Sequence, residues 1–164
     1  MPTFSEIGNK LVKIDTNKIA ETIFKKPDVI KWILGSITGR LFKTGIAGDG
    51  TRLKTDESIG AAVYSSFTIG LKREDGQPTN KVTLKDTGEF YDSFHIFARN
   101  TYFEIVAQFE KEEGNIYDNF TFLFQNEDEF IEAITSMTVE EFENLLFKEV
   151  YEDVLKEFKK QISA

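Results

Sequence analysis

The tripeptide Asp86-Thr87-Gly88 is the first place in the sequence where residue types and spacing could do chemistry. Asp-Thr-Gly holds each half of the carboxylate pair of aspartic proteases, in which two aspartates share one proton. The tripeptide occurs once, so that chemistry requires a homodimer using Asp86 from each copy. The flanks oppose it: Lys85 and Glu89 put charges where the proteases carry apolar and small residues. A turn explains the same residues better. Asp86 or Thr87 can cap a short helix over residues 89–94, with Gly88 where the backbone must bend tightly. Phe90 and Phe94 then fall on one side at helical spacing, and Ser93 sits between them and the next strand.

Three other constellations are weaker. His95 is the single histidine, and Asp92 and Ser93 stand beside it. Neighbouring residues in a strand point to opposite faces, and no nucleophile elbow surrounds Ser93, so a hydrolytic triad is not built there. The run Asn126-Glu127-Asp128-Glu129 has the charge of a calcium loop but neither its central glycine nor its spaced ligands. It reads as the acidic first turn of a helix. The stretch Gly45-Ile46-Ala47-Gly48-Asp49-Gly50-Thr51 lacks the Gly-Lys-Ser/Thr ending of a phosphate loop. There are no cysteines, which removes disulfides, thiolate metal sites and cysteine nucleophiles. These readings imply no catalytic residue, no cofactor and no metal.

The elements that position these residues follow from periodicity. Ile7, Leu11 and Ile14, then Ile19, Ile23 and Phe24, recur at helical spacing, with Asp15 or Thr16 as a cap. Pro27 suits the first turn of a helix running through Val29, Ile33, Ile37 and Leu41 and ending near Gly45. Phe67 to Lys72 alternates in period two, which predicts a strand. Further strands are expected at Val82–Leu84, Phe94–Ala98, Thr101–Phe109 and Phe120–Phe124, the last with Phe120, Phe122 and Phe124 on one face. Helix returns over Glu127–Ile134. A capping box at Thr138 and Glu141 then opens one amphipathic stripe from Phe142 to Ile162. The order predicts α+β: N-terminal helices, a central antiparallel sheet of about four to five strands, and C-terminal amphipathic helices.

At 164 residues the chain fits a single domain, with residues 1–26 as a possible helical arm. The start lacks the pattern of a secretory signal, and no stretch approaches the ~18 apolar residues of a membrane span. A soluble protein made in a cytoplasm is expected. Charge is polarised. Residues 1–54 carry ten Lys/Arg and five Asp/Glu, a net of +5, whereas residues 104–164 carry five and sixteen, a net of −11. The overall −8 opposes general nucleic-acid binding, whose footprint is a basic face. A basic front and an acidic rear can attract head to tail between copies, as ring contacts require.

One stretch resembles a known family. Residues 82–94, Val-Thr-Leu-Lys-Asp-Thr-Gly-Glu-Phe-Tyr-Asp-Ser-Phe, are similar to a motif of tailed-bacteriophage tail-completion and virion-morphogenesis proteins, matching at Asp86, Thr87, Gly88, Phe90, Ser93 and Phe94. Phe90-Tyr91 stands where many relatives have Leu-Arg. Residues 41–46, Asp49-Gly50, residues 64–68 and residues 76–79 follow in the order seen in phages of gut Bacteroidetes-type hosts, so the resemblance spans residues 29–97. It implies an α+β neck protein of the virion, made in the host bacterial cytoplasm, that forms a ring with itself and contacts other neck, portal or tail proteins. It implies no enzymatic activity and a turn that shapes the subunit. A minor capsid or decoration protein of the same virion is the alternative, and a homodimeric protease through Asp86 a lesser one.

Overall fold

The computed structural model describes residues 21–55, 64–99, 102–112, 114–147 and 151–163. The expected helices at Ile7–Ile14 and Ile19, with their Asp15 or Thr16 cap, fall outside the described residues. The described elements, in chain order, are α1 (Pro27–Thr44), α2 (Ser66–Glu74), α3 (Glu89–Asp92), β1 (His95–Ala98), β2 (Phe103–Val106), β3 (Glu110–Lys111), β4 (Gly114–Asn115), a 3-10 turn (Ile116–Asn119), α4 (Glu127–Thr135), α5 (Val139–Leu145) and α6 (Tyr151–Ser163). The mixture of helix and strand expected from the sequence is present.

Among the described residues the central sheet is not. The strands form two separate pairs, β1 with β2 and β3 with β4, the latter antiparallel with Glu110 opposite Asn115. Three expected strands have other conformations, each for a local reason. Phe67–Lys72 lies in helix α2, whose N-cap Ser65 accepts from the Thr68 amide and whose last turn carries Lys72 and Arg73. Its alternation marks no buried face, because Phe67 is 76% exposed. Phe120–Phe124 is a run of turns in which the Phe124 amide donates back to the Phe120 carbonyl at 3.3 Å. Phe120 and Phe124 are therefore brought to one side and buried, while Phe122 faces solvent. Val82–Leu84 is irregular backbone. The stripe expected from Phe142 to Ile162 is carried by two helices, α5 and α6.

The chain divides into two compact units, Met1–Ile33 with Ile96–Glu104 and Val139–Ala164, and Leu34–His95 with Ile105–Thr138. Helix α1 starts at Pro27, where a missing amide costs nothing, and buries Val29, Ile33, Ile37 and Leu41 at intervals of four. In the first unit Phe24 packs on Phe103 at 4.6 Å between ring centroids, Leu145 is fully buried, and Lys26 pairs with Asp153.

The second unit is built around Phe130 of α4, which is fully buried. The rings of Phe109, Tyr117, Phe120 and Phe124 all stand 5.2–5.7 Å from it, Phe120 stacked and Phe109 and Phe124 edge-on. Such geometries add to the free energy of burial itself. Helix α4 is set by its N-cap, Asn126, which accepts from the Glu129 amide at 2.9 Å, and by three acidic residues in its first turn. Phe130→Ala should therefore destabilise the protein by about 3–5 kcal/mol in denaturant unfolding; a loss within the range of a surface substitution would show that the ring cluster is not the core.

Candidate functional site

Residues 82–94 gather the polar and aromatic side chains singled out in the sequence. Val82 and Thr83 are buried, yet among the described residues no strand pairs with this segment. Its carbonyls are bonded by side chains instead. The Tyr91 hydroxyl donates to the Thr83 carbonyl. The Lys72 ammonium donates to the Lys85 carbonyl at 2.9 Å, and the Gln77 amide donates to the Asp86 carbonyl at 2.9 Å. On the amide side, Thr83 N–H donates to the Tyr64 hydroxyl at 3.2 Å. Buried backbone groups must be paired, and here side chains do what a sheet neighbour would do. Leu84, between them, has φ 53°, the one positive-φ residue other than glycine among the described residues.

The Asp-Thr-Gly turn comes next. Asp86 and Thr87 are exposed. Gly88 is the N-cap of α3, with φ 109°, a backbone state that L side chains adopt only under strain. Neither Asp86 nor Thr87 is the helix cap expected from the sequence: Gly88 has no side chain to bond, and Thr87 Oγ1 accepts from the Glu89 amide at 3.4 Å. The turn delivers Phe90 and Phe94 to the interior, where their rings meet edge-on at 5.2 Å. Phe90 also meets Phe109 at 5.3 Å, and Phe109 meets Phe130. Ser93 locks the far end: its hydroxyl donates to the Phe90 carbonyl at 2.7 Å and accepts from the Gln108 amide at 2.9 Å.

Two open recesses flank Asp86. One, of about 400 Å³, is lined by Tyr64, Lys72, Leu84, Lys111 and Phe120 among others. The other, of about 570 Å³, includes Thr87, Glu89, Ser93, Gln108 and Glu110. Among the described residues no group of three or more histidine or acidic side chains could hold a metal ion. His95 is exposed and its Nδ1 is 2.7 Å from the Ser93 carbonyl oxygen, which can only accept, so the ring donates there. Ser93 spends its hydroxyl on the backbone, so Asp92, Ser93 and His95 are not brought together as a triad. Asn126–Glu129 is the N-terminus of α4. In the loop after α1, Gly50 has φ 92° with open space around it, whereas Gly48 is required by packing. The Gly48 amide donates to the Ala133 carbonyl at 2.7 Å, and a Cβ on Gly48 would stand 2.5 Å from the Ser136 carbonyl oxygen. Arg40 fixes the same loop through the carbonyls of Ile46 and Ser136.

Burial raises the pKa of Tyr91 above the tyrosine range, an effect strengthened by Tyr64 and opposed by Arg40. Burial also raises Tyr64 and lowers Lys72, whose ammonium is partly compensated by Asp86 and Asp75. The turn was marked in the sequence but the roles of Tyr64, Lys72 and Gln77 were not, because their partners are backbone groups several to many residues away; Gln108 takes part through its own main-chain amide, which any residue would offer.

No family model, no curated protein and no solved structure matches the chain.

Two outcomes follow from this geometry. Gly88→Ala should cost roughly 1–3 kcal/mol, whereas Asp86→Asn, which keeps the bonded carbonyl, should stay within about 0.5 kcal/mol; equal losses in urea unfolding would contradict a turn set by backbone. The raised pKa of Tyr91 stabilises the fold fully below about pH 10, the unfolded value, and that contribution fades as pH rises toward the folded value. Tyr91→Phe should thus flatten the alkaline decline of stability above about pH 10. It should also cost about 1–3 kcal/mol at neutral pH by stranding the Thr83 carbonyl, and an unchanged alkaline slope would contradict the assignment.

Proposed function

We propose that the protein is a structural subunit that works by assembling with other proteins, in the class of tailed-phage neck and tail-completion proteins. The observation that carries this reading is the apolar surface left open on two helices. On α5 and just beyond it, Val139, Phe142, Leu146 and Phe147 are all exposed, Val139 and Phe147 by three quarters or more. On α2, Phe67 and Leu71 are exposed one helical turn apart, and no residue of that helix is buried. Scattered exposed apolar residues are ordinary, but grouped ones mark interaction sites.

The turn supports the same reading. Asp86-Thr87-Gly88 bends the backbone and places Phe90 and Phe94, with the Asp86 carbonyl held by Gln77. That is the shaping role implied by the resemblance over residues 29–97. The ring, its location in a virion and its neighbours at the neck rest on the resemblance and on the basic front and acidic rear of the sequence. Among the described residues no helix is long and apolar enough to cross a membrane.

Quantitative mass spectrometry of purified particles of the parent phage tests the reading. A few copies per virion, on the scale of one ring, are expected. Hundreds of copies would move the protein to the capsid or tail tube, and absence from the particle would overturn the structural role.

A further inference from the structure

The segment that follows α1 carries a patch of cations on a chain whose net charge is −8. Three stretches of backbone lie side by side there. The Leu53 amide donates to the Gly45 carbonyl at 2.8 Å, Ile46 bridges antiparallel to Arg52, and the Lys81 ammonium caps the Lys43 carbonyl at the end of the helix. Leu53 is buried and its two neighbours, Arg52 and Lys54, are exposed, so the extended backbone turns both cations to solvent together. Lys43 is exposed beside them, and the Lys85 ammonium stands 5.1 Å over the ring of Phe42. The carboxylate of the loop itself, Asp49, accepts from the amide and the hydroxyl of Thr51. The patch is preorganised, because Arg40 and the Gly48 amide tie its loop to the carbonyls of Ser136 and Ala133.

The complementary surface on this chain is α5. Glu140 and Glu143 are exposed on that helix, and the apolar side chains of Val139 and Phe142 are exposed next to them. The helix has no basic residue. We infer that the patch of Lys43, Arg52, Lys54 and Lys81 receives helix α5 of a second copy, with Glu140 and Glu143 on the cations and Val139 and Phe142 covered at the same contact. The contact joins two different surfaces. It is therefore heterologous, and repetition closes a ring or extends a filament. It rests on the assembly reading above and names its surfaces. An acidic protein surface suits the patch better than a nucleic acid does, since the chain as a whole is anionic.

Sedimentation velocity of the full chain over a range of concentrations tests this. Association at low salt that loosens toward molar salt is expected. Arg52→Glu with Lys54→Glu should weaken association roughly tenfold or more, and Glu140→Lys with Glu143→Lys should do the same. Mixing the two reversed variants should restore association between them, which general destabilisation cannot do. A wild-type chain that stays monomeric throughout overturns the inference. So does a reversed variant that associates like the wild type, or a mixture that recovers nothing. Closure of α5 onto the patch within one chain would appear as a concentration-independent effect of the same substitutions, and binding of duplex DNA lost in Arg52→Glu/Lys54→Glu would assign the patch to nucleic acid; either result also overturns it. Copy number in particles is read independently, so the neck placement can fail while this contact stands.

Discussion

Val82 and Thr83 are buried where no strand among the described residues pairs with them, and the second unit is arranged around that constraint. A buried carbonyl without a partner costs about 1–3 kcal/mol. Four long side chains remove that cost here. Tyr91 serves Thr83, Lys72 serves Lys85, Gln77 serves Asp86, and Tyr64 receives the Thr83 amide. Three come from the stretch around α2 and the fourth from α3. Tyr64 lies just before α2, Lys72 within it, Gln77 just after it, and Tyr91 in α3. Holding the segment therefore also fixes both helices against it.

From that fixed segment the chain turns through Gly88 and commits its aromatics. Phe90 and Phe94 are carried inward, Phe90 meets Phe109, and Phe109 meets Phe130, which gathers Tyr117, Phe120 and Phe124. The motif and the core are thus one continuous set of ring contacts. A chain with this many phenylalanines can build a dense interior from short, irregular segments. The strands play a small part in it: β3 and β4 are two residues each.

The helices were legible in the sequence wherever a cap and a stripe agreed. Pro27 with Val29, Ile33, Ile37 and Leu41 marked α1, and Asn126 with its acidic turn and Phe130 marked α4. The strands were misread where alternation had a different cause. In Phe67–Lys72 the residues lie on a helix with Phe67 and Leu71 facing solvent, so no buried sheet face lies behind the pattern. In Phe120–Phe124 the burial period is four rather than two. Val82–Leu84 has the composition of a strand, but its polar groups are met by side chains that no local pattern reveals. The turn itself was visible, because a glycine after two capping-type residues has few other uses. Its cap was not, since Gly88 occupies that position with a φ of 109° and no side chain.

Ser93 spends its hydroxyl on the backbone, whereas Phe67 and Leu71 on α2 and Val139 and Phe142 on α5 stay open to solvent. The Asp-Thr-Gly turn acts by placing Phe90 against the aromatic core. A double-mutant cycle in denaturant unfolding between Gly88→Ala and Phe90→Ala tests it most directly. If the turn exists to place that ring, the double variant loses less than the two single losses combined, by more than about 0.5 kcal/mol. Losses that add within that margin would show that the turn and the ring act separately, and would contradict the account.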